Sequence, residues 1–146
     1  RHELGFLHLL EGGGVTEGSI DLAARRDDGL VLLDVKTSQI GAAAAKERAA
    51  HYGPQRDVYV AAAEAISGQP AASFAFQFSR AAVQVAEAIT PELRQEIASG
   101  LAEVVRVIES GDRSLSSHPW ECRFCGYKTI GWCTGAAFGA TEAQSP

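Results

Sequence analysis

Two carboxylates and a lysine lie around one turn of the chain and could perform metal-dependent phosphate chemistry. Asp34 and Lys36 are two positions apart in an otherwise apolar segment, and Asp21 precedes that turn. Burying such charges in an apolar strand is costly unless each finds a partner. Mg²⁺ and Mn²⁺ prefer oxygen ligands, lower the pKa of a bound water and neutralise charge on a phosphate. The three residues therefore point to phosphodiester hydrolysis.

The turn between them is predicted to close a β-hairpin. Asp27-Asp28-Gly29 is the strongest hairpin signal in the sequence. If its first two residues form the loop, Asp21 lies opposite Asp34, and if its last two do, Asp21 lies opposite Lys36. Two carboxylates that face each other across a ladder, about 5 Å apart at Cβ, repel unless a cation lies between them.

Both registers place the three charged residues on the same face of the hairpin, because side chains alternate along a strand. The opposite face is then predicted to be apolar, which would select the register. It consists of Ile20, Leu22, Ala24, Val31, Leu33 and Val35.

The other elements follow from hydrophobic periodicity and turn residues. The alternation of Phe74, Phe76 and Phe78 predicts a strand, and Thr90-Pro91 predicts a helix start that Gly111 ends. Strands are predicted over residues 2–10, 15–25, 30–36, 72–79 and 82–88, with helices over 41–51, 54–66 and 91–110. This order predicts a mixed β-sheet with helices packed on it.

Composition excludes several classes of protein. The chain has 146 residues, of which 46% are hydrophobic, so one packed domain is expected. A net charge of −5 argues against a generically basic nucleic-acid binder. No apolar run reaches the ~20 residues of a membrane span, so no membrane partner is expected. Three cysteines argue against a secreted disulfide framework, and we expect a cytoplasmic protein. The absence of Met suggests a piece of a longer polypeptide.

A series of short motifs, in order along the chain, resembles the RecB-type nuclease domain of the PD-(D/E)XK superfamily. Each motif alone is weak, but their order over residues 3–133 makes the resemblance specific. The matching segments are Glu3-Leu4-Gly5-Phe6, Gly18-Ser19-Ile20-Asp21, Leu33-Asp34-Val35-Lys36-Thr37, Gln55-Arg56-Asp57-Val58-Tyr59 and Cys122-Arg123-Phe124-Cys125-Gly126-Tyr127.

The resemblance implies a role for the residues that match its motifs. Asp21, Asp34 and the backbone carbonyl of Val35 would hold Mg²⁺ or Mn²⁺, and Lys36 would be the catalytic lysine. Gln55 and Tyr59, one helical turn apart, would approach the active site. Basic residues near these motifs are candidates for contact with DNA phosphates, namely Lys46, Arg48 and Arg56.

The implied fold is α/β, a restriction-endonuclease-like mixed β-sheet flanked by helices, followed by a C-terminal cysteine-bearing segment. A single nuclease domain would fill residues 1–146, with the core in 1–115, the cysteine cluster in 116–135 and a tail in 136–146. We expect truncation at the N-terminus, because the family's upstream helix with a histidine has no counterpart here.

The implied function is DNA hydrolysis, as an exonuclease in double-strand break repair and recombination. The partners would be DNA and a UvrD/RecB-type helicase, in the same polypeptide or in a partner helicase–nuclease subunit. Two alternatives stay open. One is an inactive nuclease-fold module that binds DNA or a partner subunit, and the other is a stand-alone or CRISPR-adaptation-type nuclease of the same superfamily.

The cysteine cluster departs from the iron–sulfur members of the family, which use four cysteines. Cys122, Cys125 and Cys133 supply only three. They could belong to a 4Fe-4S cluster with a fourth ligand elsewhere, form a zinc site with His118, or bind no metal.

Overall fold

The computed structural model describes residues 2–111 together with Gly126 and Ile130. The chain divides into two compact units, residues 1–110 and 111–146. In the second unit the Ile130 N–H donates to the Gly126 carbonyl oxygen at 3.1 Å. His118 and the three cysteines lie outside the described residues, so the predictions for the cysteine cluster and for the domain boundaries stay predictions.

In the described part of the chain, five strands form one mixed sheet whose spatial order follows the sequence. β3 and β4 are parallel, and the other neighbouring pairs are antiparallel. A parallel pair needs a crossover connection, which the helices between β3 and β4 provide. This confirms the predicted mixed sheet of an α/β fold. The strands are β1 His2–Leu9, β2 Val15–Arg26, β3 Gly29–Lys36, β4 Ala71–Phe78 and β5 Val83–Ala88.

Three α-helices accompany the sheet within residues 2–111: α1 Ala45–His51, α2 Gly53–Ser67 and α3 Pro91–Glu109. The Thr90 hydroxyl accepts the Leu93 N–H at 3.2 Å, which confirms the predicted N-cap of α3. No helix in the described part of the chain is both long and apolar enough to cross a membrane.

The prediction of one continuous helix over residues 41–51 was wrong in detail. A 3₁₀ helix, Ala42–Ala44, precedes α1, and no side chain caps either segment. The alanine-rich sequence has high helix propensity but lacks the capping residue that would start an α-helix at Gly41.

All three α-helices contribute to one buried cluster against the sheet. The three phenylalanines of β4 lie in it, as their alternation predicts, with Phe74 and Phe78 almost fully buried. Leu32 of β3 and Val60 of α2 are also fully enclosed, at 0% and 1% exposure. The cluster therefore packs the crossover helix α2 onto the centre of the sheet.

The prediction that a separate apolar face selects the hairpin register was wrong for β3. Its buried residues are Leu30, Leu32 and Asp34, whereas Val35 on the other face is 43% exposed. Ile20, predicted on the face opposite Asp34, belongs to the same buried cluster as Leu32. β3 is apolar on both faces, so alternation alone does not distinguish the face that the helices cover.

Candidate active site

Asp21 and Asp34 meet where the β2–β3 ladder ends. The ladder closes around a two-residue loop, Asp27-Asp28, and its last pair is Leu22 with Leu33. This confirms the first of the two predicted registers. Asp21 and Asp34 occupy the next position on each strand. Beyond this point β2 continues only with β1 as its partner, so β2 and β3 separate at the two carboxylates.

The Asp21 carboxylate takes over the hydrogen bond that the departing strand no longer makes. Its Oδ2 accepts the Val35 N–H at 2.7 Å. The side chain is half-buried and makes no other hydrogen bond or ion pair with the described residues. Asp21 is thereby fixed beside the residue that follows Asp34, with its second oxygen available to a ligand.

Asp34 is a deeply buried carboxylate, only 4% exposed. Its Oδ2 lies 2.8 Å from Lys36 Nζ, a contact that balances charge. The same oxygen accepts no hydrogen bond of normal geometry from the described residues. Buried ion pairs do not repay their desolvation unless further hydrogen bonds complete them, so this pair depends on its other neighbours.

Gln55 of α2 supplies those hydrogen bonds. Its Oε1 accepts from Lys36 Nζ at 2.5 Å, and its Nε2 donates to Asp34 Oδ1 at 3.0 Å. The same Nε2 donates to the Tyr59 hydroxyl at 2.8 Å. One amide thus connects α2 to both charged residues of β3, and the structure brings the sequence-predicted Gln55 and Tyr59 to the carboxylates.

Tyr59 is held by the motif residues at the start of the chain. Its ring packs edge-on against Phe6, with centroids 5.7 Å apart. Gly18 of β2 admits the Phe6 ring, because a Cβ at this position would lie 2.8 Å from it. The segments around Phe6 and Gly18, which look unrelated in the sequence, therefore form one packing contact behind Tyr59.

Tyr52 is a site residue that sequence reasoning missed. Lys36 Nζ lies 4.2 Å from the centroid of its ring, which is cation–π distance. A second ring, that of Phe76, lies 5.5 Å away. The signal was present in the sequence, because Tyr52 precedes Gln55 by three residues and Tyr59 by seven, the spacing of one helix face.

The three basic residues predicted to contact DNA differ in their surroundings. Arg56 forms ion pairs with Asp57 at 2.7 Å and with Glu87 at 2.6 Å. Burial lowers the pKa of its guanidinium, but the hydrogen bonds and charges of these two carboxylates outweigh burial and raise it. Lys46 is exposed and Arg48 half-buried, and neither forms an ion pair with a described residue.

A cavity of about 280 Å³ lies between the basic residues and the sheet. Lys46 and Arg56 contribute to its lining, as do Phe74, Phe76 and Glu87. It shares the Phe76 ring with the surroundings of Lys36. Arg56 is engaged by carboxylates at this cavity, so the structure assigns it a tether between α2 and β5.

The donor set fits a hard divalent cation. The described residues contain no group of three or more His, Cys, Asp and Glu side chains suited to a metal. Mg²⁺ commonly uses one or two protein carboxylates and completes its shell with waters and substrate phosphate. Asp21 and Asp34 provide two carboxylates. The buried Asp34 Oδ2 accepts no hydrogen bond from the described residues, and a bound cation would supply the missing partner.

Comparison with known families decides the classification. The sequence model of the PD-(D/E)XK nuclease superfamily matches residues 2–133, most of the chain. The chain belongs to the PD-(D/E)XK nuclease superfamily. Membership implies a metal-dependent phosphodiesterase that acts on nucleic acid, and PD-(D/E)XK nucleases typically use Mg²⁺ or Mn²⁺.

A solved structure shares the fold of this chain at low sequence identity. The crystal structure of SSO0001 matches 92% of this chain with a TM-score of 0.55 and 18% sequence identity. The match covers 60% of SSO0001, so the chain spans less than two thirds of that protein. A similarity at this identity shows the fold alone. No curated protein sequence matches the chain significantly.

Proposed function

We propose that this PD-(D/E)XK domain is a Mg²⁺- or Mn²⁺-dependent deoxyribonuclease that degrades linear DNA as an exonuclease. The observation that carries the proposal is the convergence of Asp21, Asp34 and Lys36 at the end of the β2–β3 ladder. A divalent cation at this point would relieve the repulsion between two adjacent carboxylates. Lys36 adds a positive charge at the same place.

Each residue has a distinct part in the proposed mechanism. Asp21, Asp34 and the Val35 carbonyl would hold the cation, which when bound lowers the pKa of a water and neutralises phosphate charge. Lys36 Nζ is kept in position by Gln55 Oε1 and by the Tyr52 ring. A preorganised ammonium stabilises charge that develops on the phosphate during attack.

The wider biological setting is also a proposal. We propose that the domain is the nuclease module of a RecB-type helicase–nuclease in the cytoplasm, active in double-strand break repair. The order of the motifs from Glu3 to Tyr59 supports this assignment. Stimulation of DNA degradation by ATP in the native polypeptide, or in its complex with a helicase subunit, would test it.

Hydrolysis of end-labelled DNA tests the catalytic proposal. We expect the wild-type chain to degrade linear DNA with Mg²⁺ or Mn²⁺ and to spare closed circular DNA. Lys36→Ala should lower the rate about 100-fold or more, because one preorganised charge is lost. This change also leaves Asp34 buried without its partner, which costs about 3 kcal/mol. A second variant, Asp21→Asn, is needed to separate loss of catalysis from loss of folding. The amide oxygen of Asn still accepts the Val35 N–H, so this variant should fold.

A matched control is Arg26→Ala, at the other end of the same hairpin. Arg26 pairs with Asp28 at 3.5 Å, and both side chains are more than 60% exposed, so this pair contributes little to stability. Its activity should equal that of the wild type. Full activity of folded Lys36→Ala and Asp21→Asn would show that these residues do not carry catalysis. No cleavage by the wild-type chain would instead favour a module that only binds DNA or a partner.

The cysteine cluster calls for a separate measurement. We propose that Cys122, Cys125 and Cys133 ligate a metal centre, because three thiolates close in sequence suit iron–sulfur or zinc coordination. Metal analysis and visible absorption after anaerobic purification distinguish the two centres, and a metal-free chain would reject both.

A further inference from the structure

Two segments that include the ends of β3 and β4 carry basic residues and no acidic ones, although the chain is acidic overall. The sequence holds 18 Asp and Glu residues, yet the segments 35–46 and 65–86 contain none. Their only charged residues are Lys36, Lys46 and Arg80. Such a local excess of one sign attracts the opposite charge even when the net charge of the chain is unfavourable.

The residues that directly follow β3 and β4 leave the sheet side by side. In the parallel β3–β4 pair, Lys36 is aligned with Phe78, so the loop after β3 and the turn after β4 begin at the same edge. The turn after β4 is hydrogen-bonded to the end of β3 through Ser79. The Ser79 backbone N–H and hydroxyl both donate to the Lys36 carbonyl oxygen, at 2.9 and 3.2 Å. Arg80 is the next residue, one Cα spacing of about 3.8 Å away.

Arg80 is exposed and forms no ion pair or hydrogen bond with the described residues. Most other cations in the described part of the chain are paired with carboxylates, including Arg56, Arg94 and Arg106. The turn also stores strain, because Ala82 has a φ of +52°, a region that favours glycine. Strain of this kind is concentrated at functional sites.

We propose that Arg80 contacts a backbone phosphate of the DNA strand beside the phosphodiester that is cleaved. The inference rests on the proposed nuclease function and adds a residue that its motifs do not include. Ser79 places the arginine at the level of Lys36. Because Arg80 forms no ion pair with a described residue, its charge is available for a phosphate. Arg56, whose guanidinium is already engaged by Asp57 and Glu87, is less suited to this contact.

The salt dependence of DNA binding tests the proposal. Binding of fluorescently labelled single-stranded and duplex oligonucleotides to the full chain is measured with Ca²⁺ in place of Mg²⁺, because carboxylates also bind Ca²⁺. The oligonucleotides are checked to be intact after each titration. Each phosphate contact contributes about 0.7 to the slope of log Kobs against log salt for single strands and about 0.9 for duplex DNA. Arg80→Gln should lower the slope by this amount, and Arg80→Lys should restore most of it.

Arg25→Gln is the matched control. Arg25 is also an exposed arginine without an ion pair to a described residue, but it pairs with Leu30 at the opposite end of β3. Its slope should equal that of the wild type. An unchanged slope for Arg80→Gln, an equal decrease for Arg25→Gln, or no DNA binding by the wild type would overturn the inference. Loss of cleavage in the wild type with an intact Arg80 effect would instead reject only the nuclease proposal.

Discussion

Gln55 is the residue on which the geometry of the candidate site depends most directly. It contacts the lysine and the buried carboxylate of β3 while its own backbone lies in the first turn of α2. A neutral amide suits this position, since it accepts from an ammonium and donates to a carboxylate at the same time.

Replacement of Gln55 by Ala should therefore affect both stability and catalysis. Gln55 makes two hydrogen bonds to charged groups. Such bonds contribute about 1.5–3 kcal/mol each, so we expect a loss of about 3 kcal/mol or more in the free energy of unfolding. The kcat for DNA should fall while KM changes little, because Lys36 loses its orientation and not its charge. Gln95→Ala, at an exposed position of α3, is the control. Wild-type stability and kcat in Gln55→Ala would contradict the structural role.

The sequence identified the charged residues of the site more completely than their aromatic surroundings. Asp21, Asp34 and Lys36 are conspicuous because charges rarely occur in an apolar strand. Tyr52 is not conspicuous, because an aromatic residue at a helix boundary usually indicates packing. Its contact with Lys36 depends on the crossover that returns α2 to the end of β3, which no local pattern records.

At the scale of the elements, the hairpin register could be predicted but the separation of its strands could not. The Asp27-Asp28 loop fixes which residues face each other. Side chains alternate along β2 in the same way whether the strand pairs with β1 or with β3. The sequence therefore does not show that β2 changes its pairing partner at Leu22. That exchange opens the space into which the two carboxylates fit.

Helix α3 was predicted more accurately because its start has a specific chemical signal. The Thr90 hydroxyl accepts the Leu93 N–H, and Pro91 needs no donor at the first helical position. Thr90→Ala should lower the free energy of unfolding by about 1 kcal/mol, since this N–H loses its partner. Thr90→Ser keeps the hydroxyl and should retain most of the stability, as measured by urea denaturation. Equal losses in both variants would show that the methyl group matters and the cap does not.

For the whole molecule, acidic charge and DNA binding are compatible because the charges are unevenly distributed. The net charge of −5 is a property of the full chain, whereas the segments 35–46 and 65–86, which include Lys36 and Arg80, contain no acidic residue. Part of the acidic excess is located on α3, for example at Glu92, Glu96 and Glu103. A bound cation would remove the remaining repulsion between the site and a phosphate.

This charge distribution predicts that divalent cations stabilise the folded chain. A ligand that binds only the native state at 100 times its Kd adds about 2.7 kcal/mol, which corresponds to a rise of several degrees in Tm. Mg²⁺ or Mn²⁺ should produce this rise in the wild type and in Lys36→Ala, whose carboxylates are intact. Asp21→Asn should lose most of it, and K⁺ at equal ionic strength should have no such effect. An equal rise in Asp21→Asn would place the stabilising cation elsewhere, because this variant removes a carboxylate from the proposed site and preserves the hydrogen bond to Val35.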